Sequence, residues 1–282
     1  MNAIDYAQKA NELFTVPQTS NRLRQLYDKK NTTMADIAEV VSSDPAMTVH
    51  LLKYANSPIF RFERKIESLE KAVQVIGSKA VYEFSIAFGM ANMFDRDTTK
   101  YLDVKRFWRQ SILCGLYASH FAKLAKEKDV SRMYTSGLLH NVGELAVLRV
   151  SPVTIRHCNN LNRASLPRVC QEEELGFTYA EVSAALLQQW LIPDALVSTI
   201  AMQHHDDSPA MTMEAQIIQL SYSLAIVNTF PQYYSIKNDL PSFLYTSLNI
   251  KEASLKDVIE DNEEKYEALA EVFNMTMSSE AA

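Results

Sequence analysis

Residues 42–58 read Ser42-Ser43-Asp44-Pro45-Ala46-Met47-Thr48-Val49-His50-Leu51-Leu52-Lys53-Tyr54-Ala55-Asn56-Ser57-Pro58. Asp44 has the right chemistry to cap a helix, because its carboxylate can accept the free N–H groups of the first turn. Pro45 then occupies the first helical position, where a missing N–H costs nothing and the fixed φ is already helical. The helix runs to about Ala55 and stops at Asn56-Ser57-Pro58, since the residue before a proline is pushed out of the helical region.

Working outward, the same grammar repeats. Thr33-Met34-Ala35-Asp36 has the form of a capping box, and Met34, Ile37, Ala38 and Val41 keep helical spacing on one face. Ser68 caps a further helix through Ala72, Val73 and Ile76, with Gly77 as its terminator. Ser78 opens another through Val81, Phe84, Ser85 and Phe88. The polar run Asp95-Arg96-Asp97-Thr98-Thr99-Lys100 marks a lobe boundary, dividing the chain into an amino-terminal helical lobe, 1–100, and a second lobe, 101–282. Beyond it, Trp108, Ile112, Gly115, Leu116, Ser119 and Ala122 line a long helix. Further helices are expected at roughly 131–149, 151–164, 167–173, 178–190, 193–204, 212–230 and 254–274. The stretch from Phe230 to Leu248, with Pro231 and Pro241, reads as irregular.

Composition agrees with an all-α fold. Six glycines occur in 282 residues and none after Gly176, which leaves few places for tight hairpin turns. No run approaches the ~20 apolar residues of a membrane span, and no basic-then-apolar leader is read at the amino terminus. Cys114, Cys158 and Cys170 lack CxxC spacing and fit reduced residues of a cytoplasmic protein. Residues 1–110 hold 16 Lys+Arg against 13 Asp+Glu, the remainder 12 against 21. That mild asymmetry gives no dense basic face, so nucleic acid is not an expected partner.

Two blocks together resemble the HDOD (HD-related output domain) family. The first is Ser42 to Ser57 with Ile66-Glu67-Ser68-Leu69, Ala72 and Ile76-Gly77. The second runs from Phe107-Trp108-Arg109-Gln110-Ser111 through Gly137-Leu138-Leu139-His140 to Leu186-Leu187-Gln188-Gln189-Trp190, Pro193 and His204-His205. The resemblance covers roughly residues 10–210. It implies a two-lobed helical architecture with an HD-superfamily-like core, related to the metal-dependent HD and HD-GYP phosphohydrolases.

It also implies a site that has lost most of its ligands. Where the HD-GYP pattern has a histidine after Trp-Arg, this chain has Gln110. The His-Asp pair is His140-Asn141, and the lysine after the following glycine is Glu144. A helix-start histidine is Tyr179, the later histidine pair survives as His204-His205, and the closing aspartate falls near Tyr222. A hydrolytic metal wants anionic oxygen beside imidazole, and an asparagine amide is a poor substitute. Gln110, His140, Asn141, Tyr179, His204, His205 and Tyr222 therefore form a degenerate HD-type pocket with no catalytic residue, no cofactor and no metal. Were a metal held at all, His140, His204 and His205 would be its donors.

Each residue also has a plain structural reading. His140 can be a hydrogen-bonded core histidine, His204-His205 can serve a helix end, Trp108 and Trp190 can pack, and Asn56 can bond local backbone. The resemblance implies a non-catalytic bacterial regulator in the cytoplasm, binding a signalling protein, with a small anionic ligand as a second occupant of the pocket. The alternative is a metal-dependent phosphohydrolase whose site is rebuilt from His140, His204, His205 and carboxylates such as Asp206, Glu174 or Glu181. No receiver or kinase module is read in these residues, so input is expected in trans.

Overall fold

The structure is a computed structural model, and it describes residues 1–13, 18–27, 29, 31–60, 62, 65–91, 100–159, 166–204 and 211–278, with side chains omitted at 90–91 and 273–278. Every regular element among these is a helix. In chain order the first six are α1 (Ala3–Leu13), α2 (Gln18–Tyr27), α3 (Met34–Ser42), α4 (Pro45–Ala55), α5 (Leu69–Ile76) and α6 (Ser78–Ala91). Next come α7 (Val104–Leu124), α8 (Val130–Leu139), α9 (Val142–Val150), α10 (Pro152–Cys158), α11 (Pro167–Leu175) and α12 (Tyr179–Gln189). The chain closes with α13 (Asp194–Ala201), α14 (Met213–Thr229), α15 (Ile236–Asp239), α16 (Ser242–Ser247) and α17 (Ser254–Ser278). No described helix is long and apolar enough to cross a membrane.

The chain divides into two compact units: Met1–Phe14 with Asp95–Glu263, and Thr15–Phe94 with Glu264–Ala282. This differs from the expected 1–100 and 101–282 at both ends. Helix α1 belongs to the larger unit because Ala7 and Ala10 are fully buried there as α1 packs on α9 and α12, with Asn11 Oδ1 accepting from Trp190 Nε1 at 2.8 Å. The end of α17 belongs to the smaller unit. Most of the polar run at 95–100 lies outside the described residues.

The smaller unit is built as its caps dictate. Thr33 and Asp36 form a reciprocal capping box, Asp44 accepts from Met47 N at 3.0 Å ahead of Pro45, and Ser68 accepts from Lys71 N at 3.2 Å. Gly77 takes φ +88°, a left-handed value that favours glycine, and so lets α5 turn directly into α6. The core between these helices is partly aromatic: Tyr54 stacks on Phe84 at 4.7 Å and His50 lies 4.8 Å from Phe88.

In the larger unit α7 is the central helix, packed against α8 and α14, with Phe107, Ile112, Leu113, Tyr117 and Phe121 in the core. Helices α7 and α8 approach so closely that a Cβ on Gly137 would lie 2.6 Å from the Cys114 carbonyl oxygen. The helix expected over 131–149 is two helices, broken at His140-Asn141. Ser183 Oγ accepts the Gly143 N–H at 2.7 Å and donates toward the His140 carbonyl at 2.9 Å, so α12 holds both sides of the break. The segment Phe230–Leu248, expected to be irregular, contains α15 and α16. Ser235 caps α15 from Asn238 N at 3.3 Å, and Leu240 and Leu244 are buried beneath the pair, an anchorage too short for periodicity to register.

Candidate functional site

Helix α7 supplies Arg106 and Gln110 one turn apart, and the α8–α9 break supplies His140, Asn141 and Glu144. Asn159 follows α10, Tyr179 opens α12, and Tyr222 lies midway along α14. Asp103 caps α7 by accepting from Arg106 N at 3.0 Å, which fixes the backbone that carries Arg106.

Glu144 is the centre of the arrangement and is fully buried, 0% exposed. Arg106 reaches it with both guanidinium amines: Nη2 donates to Oε1, and Nη1 to Oε2 at 3.3 Å. The same Nη1 donates to Gln110 Oε1 at 2.9 Å. The side-chain amides of Asn141 and Asn159 also donate to Glu144, to Oε2 and Oε1 respectively. Gln110, Asn141, Tyr179 and Tyr222 thus line one pocket together with Arg106, Glu144 and Asn159, and the space left between them is about 10 Å³. That is room for about one water.

The histidines gather around Tyr222 instead. Its ring stands edge-on between His140, at 5.5 Å, and His204, at 4.9 Å. His140 Nδ1 lies 2.6 Å from the Gly137 carbonyl, so in the neutral ring this nitrogen carries the proton and donates it. Burial holds the His140 pKa down to about 4, the Gly137 carbonyl opposing the shift, so the ring is neutral at physiological pH. Burial also pushes the Tyr179 and Tyr222 phenols well above the ordinary tyrosine range, and the Glu144 charge adds to the effect at both. Neither offers a phenolate near neutrality.

His205 and Asp206 lie outside the described residues. Glu181 is an exposed capping-box residue bonded to Thr178, and Glu174 lies 3.6 Å from His157, both well exposed, so neither reaches the pocket. Trp108 and Trp190 are buried packing residues. The network residues that sequence reading missed are Arg106 and Asn159. Arg106 stands four residues before Gln110 and so shares its helix face, a signal available in the sequence; Asn159 had none.

A divalent metal at this position is the expectation that an HD-type fold raises. One observation favours a ligand: Nε2 of His140 is buried with no hydrogen-bond partner among the described residues. The other donors do not fit. No three His, Cys, Asp or Glu side chains converge among the described residues. The one carboxylate lining the pocket among the described residues, Glu144, is occupied by a guanidinium and two amides. Four hydrogen bonds saturate its acceptor capacity.

The described residues thus present a helical protein with a histidine–asparagine pair at a helix break and a buried polar pocket beside it. The HDOD domain family matches residues 13–206, and the chain belongs to that family. An uncharacterized protein of Treponema pallidum (strain Nichols) is 24% identical over 205 residues, 71% of this chain but 39% of the relative, so the chain spans about two-fifths of that protein's length. Among solved structures, a phosphohydrolase candidate from Shewanella amazonensis SB2B is similar with a TM-score of 0.72 and 19% identity, covering 95% of this chain and 97% of its own. An HDOD domain protein from Geobacter sulfurreducens gives 0.69 and 18%, with 95% and 97% covered. A candidate signal transduction protein from Marinobacter aquaeolei VT8 gives 0.69 and 20%, with 92% of this chain and 59% of that one covered. At these identities the likeness is one of fold.

Proposed function

We propose that this HDOD protein is a bacterial regulator that acts by binding a signalling protein, without turnover. The observation that carries the reading is the saturation of Glu144 by Arg106, Asn141 and Asn159, in a pocket of about 10 Å³. Hydrolysis of a phosphoester at such a fold needs an open metal position and room for the substrate; a carboxylate already bonded four ways, closing the space down to about 10 Å³, supports a reading without turnover. The same closure favours a protein partner over a small anion as ligand. A cytoplasmic setting is part of the proposal and agrees with three free cysteines, two of them buried.

The test pairs an assay with a capture. Purified protein with excess Mn2+ is expected to hydrolyse bis-p-nitrophenyl phosphate no faster than buffer, while tagged protein retains a defined partner from its native cell. Turnover that scales with protein and disappears in His140→Ala would overturn the reading. The second reading, a phosphohydrolase with a rebuilt metal site, is favoured by the Nε2 of neutral His140, which has no hydrogen-bond partner among the described residues. Metal-dependent turnover in that assay is the outcome it requires.

A further inference from the structure

The fold implies a metal, the side chains disagree, and the disagreement has a physical cause: a cation is already in place. We infer that Arg106 is the resident cation of the HD-type site, its guanidinium taking with Glu144 and Gln110 the role a divalent metal would otherwise have in joining α7, α9 and α10. The inference rests on the non-catalytic reading and deepens it.

The bonding pattern is that of a charge-balanced joint. Glu144 receives Nη2 of Arg106 on one oxygen and Nη1 at 3.3 Å on the other, a two-pronged pairing that suits the planar guanidinium. Gln110 takes the remaining reach of Nη1 at 2.9 Å with its carbonyl oxygen, as a metal ligand would take a metal. Asn141 and Asn159 contribute neutral donors to the same carboxylate. One positive and one negative charge are therefore balanced inside the pocket, with the Arg106 side chain 13% exposed and Glu144 0%.

This also gives a reason for the asparagine at 141. Its amide donates to Glu144, whereas an aspartate there would set two carboxylates against each other. Asn141, Glu144 and Arg106 form a matched set in which each choice requires the other two. A divalent ion entering the site would meet a positive guanidinium bonded to the only carboxylate there among the described residues.

Two experiments on the full chain test this. In the first, Mn2+ alone is titrated into 15N-labelled wild type while the Arg106 Nε–Hε signal is followed; no saturable broadening is expected. In the second, thermal unfolding compares Arg106→Met, Glu144→Met and the double variant. Each single change leaves a buried charge alone and is expected to lower Tm by on the order of 10 °C, and the double variant to recover at least half of that loss. Singles that fail to fold beside a double that folds support the inference equally. Saturable broadening at Arg106 would overturn it. So would a double variant as unstable as the two singles summed, or one that does not fold. Metal bound without phosphodiester turnover sinks this inference and leaves the non-catalytic reading standing. Turnover with the Arg106 signal undisturbed does the reverse.

Discussion

The side chain of Asn56 clamps the backbone of Ile66 from both sides: Oδ1 accepts the Ile66 N–H at 2.7 Å and Nδ2 donates to the Ile66 carbonyl at 2.8 Å. Nδ2 also donates to the Leu52 carbonyl at 2.8 Å, so one amide ends α4 and holds the chain ten residues on. No other side chain of that size presents a donor and an acceptor in this geometry. Asn56→Ala removes all three bonds and is expected to cost about 3 kcal/mol, at about 1 kcal/mol per bond. Asn56→Asp keeps the acceptor, loses the donor and sets a carboxylate against two carbonyls, so it is expected to cost at least as much. Urea unfolding monitored by circular dichroism measures both. Full stability with lost partner capture would make Asn56 a contact residue instead.

The two glycines Gly143 and Gly176 separate close packing from backbone conformation. A Cβ on Gly143 would fall 2.1 Å from the Tyr179 carbonyl oxygen and 2.7 Å from Ser183 N, both backbone atoms that cannot swing aside. A Cβ on Gly176 meets nothing within 4 Å, but its φ of +81° is left-handed. Gly143→Ala is therefore expected to cost about 3 kcal/mol or more as α9 is pushed off α12. Gly176→Ala is expected to cost about 1 kcal/mol. Thermal scans of the two variants check the order, and the reverse order would place the tight contact elsewhere.

How far the sequence reveals this structure depends on the range of the interaction. The caps at Thr33, Asp44 and Ser68 and the terminator Gly77 are legible because capping joins residues three or four apart. The break at His140-Asn141 is not legible, because Leu138, Leu139, Val142, Leu145 and Ala146 continue an apolar run across it and the break is held by Ser183, more than forty residues on. The site residues Gln110, Asn141, Tyr179 and Tyr222 can be brought together only through the family resemblance, since nothing local links them. The ion pair between Arg106 and Glu144 spans 38 residues, and a buried salt bridge has no periodicity to betray it. On sequence alone Glu144 reads only as the loss of a cation; the cation comes instead from α7.

Acid should weaken the fold through His140. Its folded pKa of about 4 lies below the ordinary value of 6.5, so the unfolded chain takes up a proton first as pH falls. The stabilisation is present above about pH 6.5 and is lost progressively down to about pH 4, by about 3 kcal/mol at 1.36 kcal/mol per pH unit. His50, lowered mainly by burial, acts in the same direction. His140→Gln retains a donor for the Gly137 carbonyl but cannot titrate, so its stability should fall less steeply over that window. Chemical unfolding at a series of pH values gives both slopes. Parallel curves for variant and wild type would mean that His140 takes up its proton over the same pH range in the folded chain as in the unfolded one.

Placing at position 141 the aspartate of the HD-GYP pattern should damage this site instead of reviving it. In Asn141→Asp the donor to Glu144 is lost and two carboxylates are left facing each other in a pocket of about 10 Å³. One of them must take up a proton or disturb the Arg106 pairing, so the variant is expected to lose about 2 kcal/mol of stability and to gain no tight metal binding. Completing the ligand set with Gln110→His, Asn141→Asp, Tyr179→His and Tyr222→Asp supplies more donors but leaves the guanidinium among them. Gln110 currently lies 2.9 Å from Arg106 Nη1, so a histidine there would share its surroundings with a fixed positive charge. A stoichiometric metal site is therefore expected only when Arg106→Met is added to those four changes. Calorimetric titration of Mn2+ and Zn2+ into the single, quadruple and quintuple variants decides the matter. Micromolar binding in the single variant would show that Arg106 yields readily to a metal, and the site would then be a silenced metal centre and not a charge-balanced joint.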